Sequence, residues 1–334
     1  MQHLLYVLFQ LDEARRYMQD GRLECLRLAL LLLDNAAEIQ MDRRIQEDFN
    51  HDEMMARLRK QVIEIPPRSR PPELQELAER RLLTPGKKRK IDRVFDEKVA
   101  FLIDNHRLDP HLGAALKHLH RYRNEAYHRA TVRRDTISTA ALLLLEINCQ
   151  MLLTVLRAST AYASDEDYSW LRERFGVAVM PGFLDDKMLQ EVARQLRDDV
   201  MPGDDAVAHV LGEHLENRLA ELYSSLDFIV KSASPIPDRE TALSFSQYFT
   251  GLERGEIDPR HTPFEVFLGS YSMGTIHALG QELPGVRESA DQLEAFRRFS
   301  AIEVELEPIE ALVQELALQI DEMIQLEVEQ RLGK

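Results

Sequence analysis

Cysteine is nearly absent, with two in 334 residues. That count excludes a disulfide framework or a paired-cysteine zinc site. Cys25 and Cys149 both fall in leucine-rich stretches and read as reduced core residues. Glycine and proline are also scarce, at 14 each. The chain carries no Gly-rich phosphate loop and no G-x-S-x-G elbow, so neither P-loop nor α/β-hydrolase chemistry has a motif to rest on. Long apolar runs are missing too. Met1 to Leu11 is apolar but short, lacks a positive leader and runs into Asp12 and Glu13. Ala140–Leu145 is shorter still and is followed by Glu146 and Asn148. Neither reads as a signal peptide or a membrane span, so the expected location is the cytoplasm, with no membrane partner.

What is present favours helix. Leu, Ala, Glu, Arg and Gln dominate, and all are good helix formers. With 44% hydrophobic residues the chain can bury a sizeable core, and its length suits two domains. The expected fold is all-α. Charge is unevenly placed. The net charge of −15 argues against a general nucleic-acid binder. Yet residues 1–160 carry 27 Lys+Arg against 23 Asp+Glu, net +4, which leaves −19 for 161–334. The basic half suits RNA. The acidic half suits a partner, the repulsion of unwanted polyanions, or a plain solvated surface.

Apolar spacing predicts a mostly buried helix over Gly21–Asn50 (Leu23, Leu26, Leu30, Leu33, Ala37, Met41), with polar Asp34, Asn35 and Glu38 inside the run. A second helix over Asp52–Ile65 stops at Pro66-Pro67. Residues 66–72 form a stiff connection, followed by a short helix Pro72–Leu83 and a turn at Thr84-Pro85-Gly86. The basic run Lys87-Lys88-Arg89-Lys90 leads into a helix near Ile91–Asn105. Asp109-Pro110 caps the next helix, which runs into Arg121–Arg129. After a polar break at Thr131–Asp135, a long apolar helix covers Thr136 to about Arg157. The boundary falls at Ser164–Asp167, giving domains 1–163 and 164–334. Beyond it helices are expected over Leu184–Val200, Asp204–Lys231, Arg239–Leu252, Phe264–Leu279 and from Arg287 onward. Gly176–Phe183 reads as irregular or as a short strand pair, and Ser232–Pro237 and Gly255–Pro263 as loops. In the last helix Ile302, Leu306, Ile309, Val313, Leu316, Ile320 and Met323 make a heptad-like seam, with Pro308 marking a helix start. That seam packs within its own domain or pairs with another chain.

The segment that carries chemistry is Arg123-Asn124-Glu125-Ala126-Tyr127-His128. Given 33 arginines and 11 histidines, an Arg-x4-His match arises by chance about once, and one occurs. Asn124 directly after the arginine, and the placement between two apolar helices in the most basic part of the chain, give it weight. Residues Leu116–His128 resemble the motif helix of the HEPN superfamily, helical bundles with an Arg-polar-x3-His motif near the end of a core helix. Ala140–Leu156 resembles the apolar helix that follows, and the helix bearing Asp34, Asn35 and Glu38 the family's buried first helix. The resemblance covers about the first 160 residues and implies a HEPN-like bundle followed by a second, acidic helical domain. It also implies a metal-independent endoribonuclease of toxin or antiviral-defence type, without cofactor, cutting at a composite homodimer site. In that site Arg123 meets the phosphate, Asn124 positions and His128 acts as acid or base, with Asp34, Glu38 and Tyr127 in support. Several HEPN toxins carry a tyrosine two residues after the histidine, where a partner modifies them. Here Ala130 stands at that position, which argues against that control.

The chemistry fits. Histidine moves protons near neutral pH, and the arginine fork matches phosphate. Cleavage through the 2′-hydroxyl selects RNA and leaves a 2′,3′-cyclic phosphate. In a helix, Asn124 and His128 share a face, but position 123 lies about 140° round from position 128. Two copies about a twofold axis would solve this, and a helix end, where the chain turns away, would also bring them closer. Lys87, Lys88, Arg89, Lys90, Arg121 and Arg129 are the expected grip on the RNA backbone. An antitoxin or regulatory protein is a further possible partner. Two alternatives stand. One is a non-catalytic helical interaction protein, in which Arg123 pairs with Glu125 or a core carboxylate and His128 is an ordinary surface histidine. The other is a metal-dependent phosphohydrolase built on the His51-Asp52 dipeptide or on the five histidines at 106, 111, 118, 120 and 128. No metal is expected, because carboxylates at ligand spacing are lacking.

Overall fold

The computed structural model describes residues 2–79, 82–128, 134–155, 169–177, 186–201, 206–233 and 235–331, the side chains of 2, 3 and 125–128 excepted. It is all-α: 84% is helical, and the described residues hold no strand. The helices are α1 Gln2–Asp20, α2 Leu23–Ile63, α3 Pro72–Glu79, α4 Pro85–Arg93, α5 Phe95–Asp104, α6 Pro110–His128 and α7 Arg134–Thr154. They continue with α8 Ser169–Phe175, α9 Asp186–Asp198, α10 Ala206–Ser232, α11 Arg239–Glu253, α12 Met273–Arg287 and α13 Gln292–Arg331.

The chain forms two compact units, residues 1–130 with 140–203, and residues 131–139 with 204–334. Residues 169–177 and 186–201 thus go with the first unit, whereas the boundary drawn from sequence lies at 163/164.

In the first unit α2 is the central element. The two-residue link Gly21-Arg22, with Gly21 at φ +69°, turns the chain so that α1 lies back along α2. Leu4, Val7, Leu8, Leu11 and Ala14 recur every third or fourth residue and are buried, as are Leu26, Leu30, Leu33, Ala37 and Met41 of α2. Asn35 Nδ2 donates to Gln10 Oε1 at 3.0 Å across this hairpin. Deeper in, Asn148 of α7 is fully buried and fully used. Its amide donates to the carbonyls of Leu33 (3.0 Å) and Leu144 (2.7 Å), and its oxygen accepts from Gln40 Nε2 (2.7 Å). The most apolar window of α7 is long enough to cross a membrane, and 78% of it is buried within the structure. Cys25 and Cys149 are free and buried, and burial pushes the Cys149 thiol up. Buried Asp12 accepts from Arg15 (3.0 Å) and Arg174 (2.8 Å) on Oδ1, and both arginines also reach Asp199.

The second unit is built on α10 and α13. Leu211, Leu215, Leu222 and Leu226 face Phe296, Phe299, Ile302, Leu306, Ile309 and Val313 in the core, with α11 and α12 beside them.

Several sequence expectations change. The helices expected over Gly21–Asn50 and Asp52–Ile65 are one helix, α2, because Asn50-His51-Asp52 contains neither Gly nor Pro to break it. The expected turn at Thr84-Pro85-Gly86 is a helix start: Thr84 Oγ1 accepts from Lys87 N at 3.2 Å and Pro85 takes the first turn. The basic run therefore lies on α4, and Val94 separates it from α5. Only a single 3-10 turn, Phe264–Val266, forms at the start of the expected helix Phe264–Leu279. The helix proper starts at Met273, where Ser272 and Thr275 form a capping box. Pro308 lies inside α13 rather than at its start. Its neighbours Leu306 and Ile309 are fully buried, so packing holds the helix through the missing N–H. The heptad seam is buried through Ile320, and Met323 beyond it is 58% exposed. Of Gly176–Phe183, positions 176 and 177 are irregular and the rest lie outside the described residues.

Candidate functional site around Asp34 and helix α6

Asp34 stands between Leu33 and Asn35 on a helix face that is otherwise apolar, and its side chain is 0% exposed. A buried carboxylate needs partners. Both come from α6. His120 Nδ1 lies 2.8 Å from Asp34 Oδ1, and Arg123 Nη2 donates to Asp34 Oδ2. His120 and Arg123 are three residues apart, about 60° round the helix, so one turn delivers both to the same carboxylate.

Around this core the remaining contacts fix orientation. Phe95, the first residue of α5, stacks on the His120 ring at 3.6 Å between centroids and 7° between planes. Arg123 Nη1 donates to Asn124 Oδ1 at 2.7 Å. Arg123 Nε is buried without a hydrogen-bond partner among the described residues. The side chains nevertheless reach the surface, His120 at 17% and Arg123 at 23% exposure. An imidazole and a guanidinium thus share one buried anchor, and each side chain keeps part of its surface. That pairing can bind an anion and exchange a proton.

One turn further along α2, Glu38 does not join this cluster. It binds Lys98 of α5 at 2.8 Å, and Asp42 binds the same Nζ at 2.7 Å. Burial opposes the Lys98 charge, but Asp42 and Glu38 outweigh it and its pKa is raised. Burial, helped by the neighbouring carboxylates Glu38 and Asp92, pushes Asp42 up against the pull of Lys98.

Of the residues singled out from sequence, the fold brings together Asp34, Arg123 and Asn124. The side chains of Tyr127 and His128 lie outside the described residues, although the backbone of α6 runs through His128, and Arg129 is outside altogether. Arg121 is exposed on α6. In the basic run Lys87 and Arg89 are exposed, with Arg89 Nε donating to the Pro85 carbonyl at 3.4 Å. Lys88 is engaged by Asp52 (3.1 Å) and Glu53 (3.7 Å) and sits over the Phe49 ring, and Lys90 binds Glu97 at 2.5 Å. These carboxylates offset part of the charge expected to meet a polyanion.

The sequence offers His120 only as one of five clustered histidines for a metal, and does not offer Phe95. The three-residue step from His120 to Arg123 was readable as one helix face. The match to Asp34, 86 and 89 positions away, was not.

The other histidines scatter. His118 is buried, His111 is half-buried, and His106 holds φ +55° as the residue that closes α5. Among the described residues no three His, Cys, Asp or Glu side chains form a group able to hold a metal ion. His51 is exposed, and its neighbour Asp52 is taken by Lys88. No protein family, curated protein or solved structure matches the chain.

Proposed function

We propose that the chain is a metal-independent endoribonuclease that cuts RNA through the 2′-hydroxyl to leave a 2′,3′-cyclic phosphate. The observation that carries this reading is the Asp34–His120–Arg123 cluster. A permanent cation fitted to phosphate and a proton-transfer group share one buried anchor and both reach the surface. The HEPN-like sequence around Arg123-Asn124 and His128 points the same way. On this reading the substrate is RNA, the working form a homodimer, the setting the cytoplasm and the role toxin or antiviral defence under a neutralising partner.

The test is RNA integrity after incubation with purified protein and a strong chelator, for wild type, Arg123→Ala and His128→Ala. Cleavage by wild type with cyclic phosphate ends, and its loss in both folded variants, is the expected outcome. Equal cleavage of DNA, or cleavage abolished by chelator, would end the proposal. A second reading has its own support: the charge of Arg123 is already met by Asp34, as in a structural tie between α2 and α6. A helical interaction protein would show no cleavage while losing stability in the Arg123 variant.

A further inference from the structure

We propose that His120, not only His128, does proton chemistry, and that it is the base that takes the 2′-hydroxyl proton beside Arg123 of the same protomer. The inference rests on the ribonuclease reading above and assigns a catalytic residue that the motif does not contain.

Asp34 Oδ1 and Oδ2 accept from His120 and Arg123, and an ionised carboxylate can only accept. With Asp34 as acceptor, the neutral ring of His120 carries its hydrogen on Nδ1 and its lone pair on Nε2. That nitrogen has no hydrogen-bond partner among the described residues, and the side chain keeps 17% of its exposure. Phe95 stacked at 3.6 Å holds the ring plane, and the fully buried carboxylate holds its rotation. A base so held is oriented before substrate arrives.

Placement separates His120 from His128. On α6 position 120 is about 60° from position 123, whereas position 128 is about 140° from it. One helix can therefore present Arg123 and His120 to one phosphate. Positions 120 and 124 stand one turn apart on α6, so a nucleotide lying along the helix would meet them in turn. The step balances as follows. Nε2 of His120 takes the 2′-hydroxyl proton, and the 2′-oxygen forms a bond to phosphorus. The bond from phosphorus to the 5′-oxygen breaks, its electron pair staying on that oxygen, which takes a proton from water. Arg123 meets the charge on the non-bridging oxygens.

The experiment compares wild type, His120→Asn, His120→Gly and His128→Ala in cleavage of a defined RNA across pH, with chelator present. His120→Asn keeps an N–H for Asp34 and so preserves the tie between α2 and α6. A loss of about 10²–10⁴-fold is expected from it. In His120→Gly, added imidazole should restore part of the rate along with the acid limb of the pH profile. A His120→Asn rate within twofold of wild type, with the acid limb unmoved, overturns the assignment. If His128→Ala alone abolishes cleavage in that case, the ribonuclease reading survives without it. An activity-independent readout is the nitrogen-15 spectrum of the His120 ring. Hydrogen on Nδ1, lost as the dominant tautomer in Asp34→Ala, supports the proposal, and hydrogen on Nε2 in wild type ends it. A wild type that cuts no RNA under any of these conditions removes both readings.

Discussion

Each unit sets an arginine against a neighbouring helix, Arg123 on one carboxylate and Arg218 on two, and the two arrangements differ in access. In the second unit Arg218 of α10 binds Glu303 and Glu310 of α13, with side-chain exposures of 3%, 7% and 11%. In the first unit Asp34 is just as buried, but Arg123 and His120 keep 23% and 17% of their surface. The sealed cluster has no face to offer a ligand, and the burial that tends to lower the Arg218 pKa is outweighed by Glu303 and Glu310, which raise it. The other cluster has the same ion-pair chemistry with an open edge. Charge pairing alone therefore does not mark a functional site. Of the two clusters, only the one around Asp34 keeps a charge that meets solvent, which is the geometry the proposed function needs.

The comparison is broken most severely by removing the sealed arginine. Arg218→Met leaves two carboxylates among buried neighbours and should cost about 3–5 kcal/mol of stability. Urea unfolding checks it, as a fall in midpoint at unchanged slope. RNA cleavage per folded molecule should stay at the wild-type level. A cost below 1 kcal/mol would mean that water reaches Arg218 and that the two clusters are alike.

Arg123→Lys is the matching change at the open cluster. Lysine keeps the charge and loses the fork that meets Asp34 and that, on the proposed function, also meets phosphate. Cleavage should fall by about 10²-fold, while the unfolding midpoint moves less than in Arg218→Met. A large stability loss with unchanged cleavage would reverse the two roles and favour the structural reading of Arg123.

A neutral control sits in the first unit. Gln40 and Asn148 are as buried as Arg218 but carry no ionisable group. Asn148→Leu strands the Gln40 amide and the Leu33 carbonyl, at a cost of about 1–3 kcal/mol. The loss should be the same from pH 5 to pH 8. Thermal melts across that range check it, and a slope with pH would trace the effect to a neighbouring charge.

How far the sequence carried the argument depends on the range of the interaction. Helix identity was legible wherever apolar residues recur at helical spacing, as in α6, α7 and α10, because that signal is local. Breaks were less so. Asn50-His51-Asp52 reads as a stop and is helix, since capping residues are only preferences and Asp52 finds its partner in Lys88 instead. Pro308 reads as a start and lies inside α13, because buried neighbours hold the helix through it. Arg123, Asn124 and Asp34 stand out on paper through an unusual residue in an unusual place. His120 and Phe95 do not. What selects them is the packing of α2, α5 and α6, and no residue spacing encodes that.

An intermediate case completes the series and gives the smallest effect. Lys98 is as buried as Arg218, at 4% exposure, but its partners Glu38 and Asp42 are 37% and 44% exposed. Water screens both pairs, so the contribution should be about 1 kcal/mol and should shrink with salt. The pKa of Lys98 is raised in the fold. A lysine raised in this way stabilises fully below its unfolded value and loses that contribution as pH climbs through the higher folded one. Lys98→Met should therefore be less stable than wild type at neutral pH, with the gap closing only above the ordinary lysine range. Paired melts from pH 7 upward, at low and high salt, measure the gap. A gap that stays constant through the alkaline range would assign Lys98 to packing by its methylene stem instead of to charge.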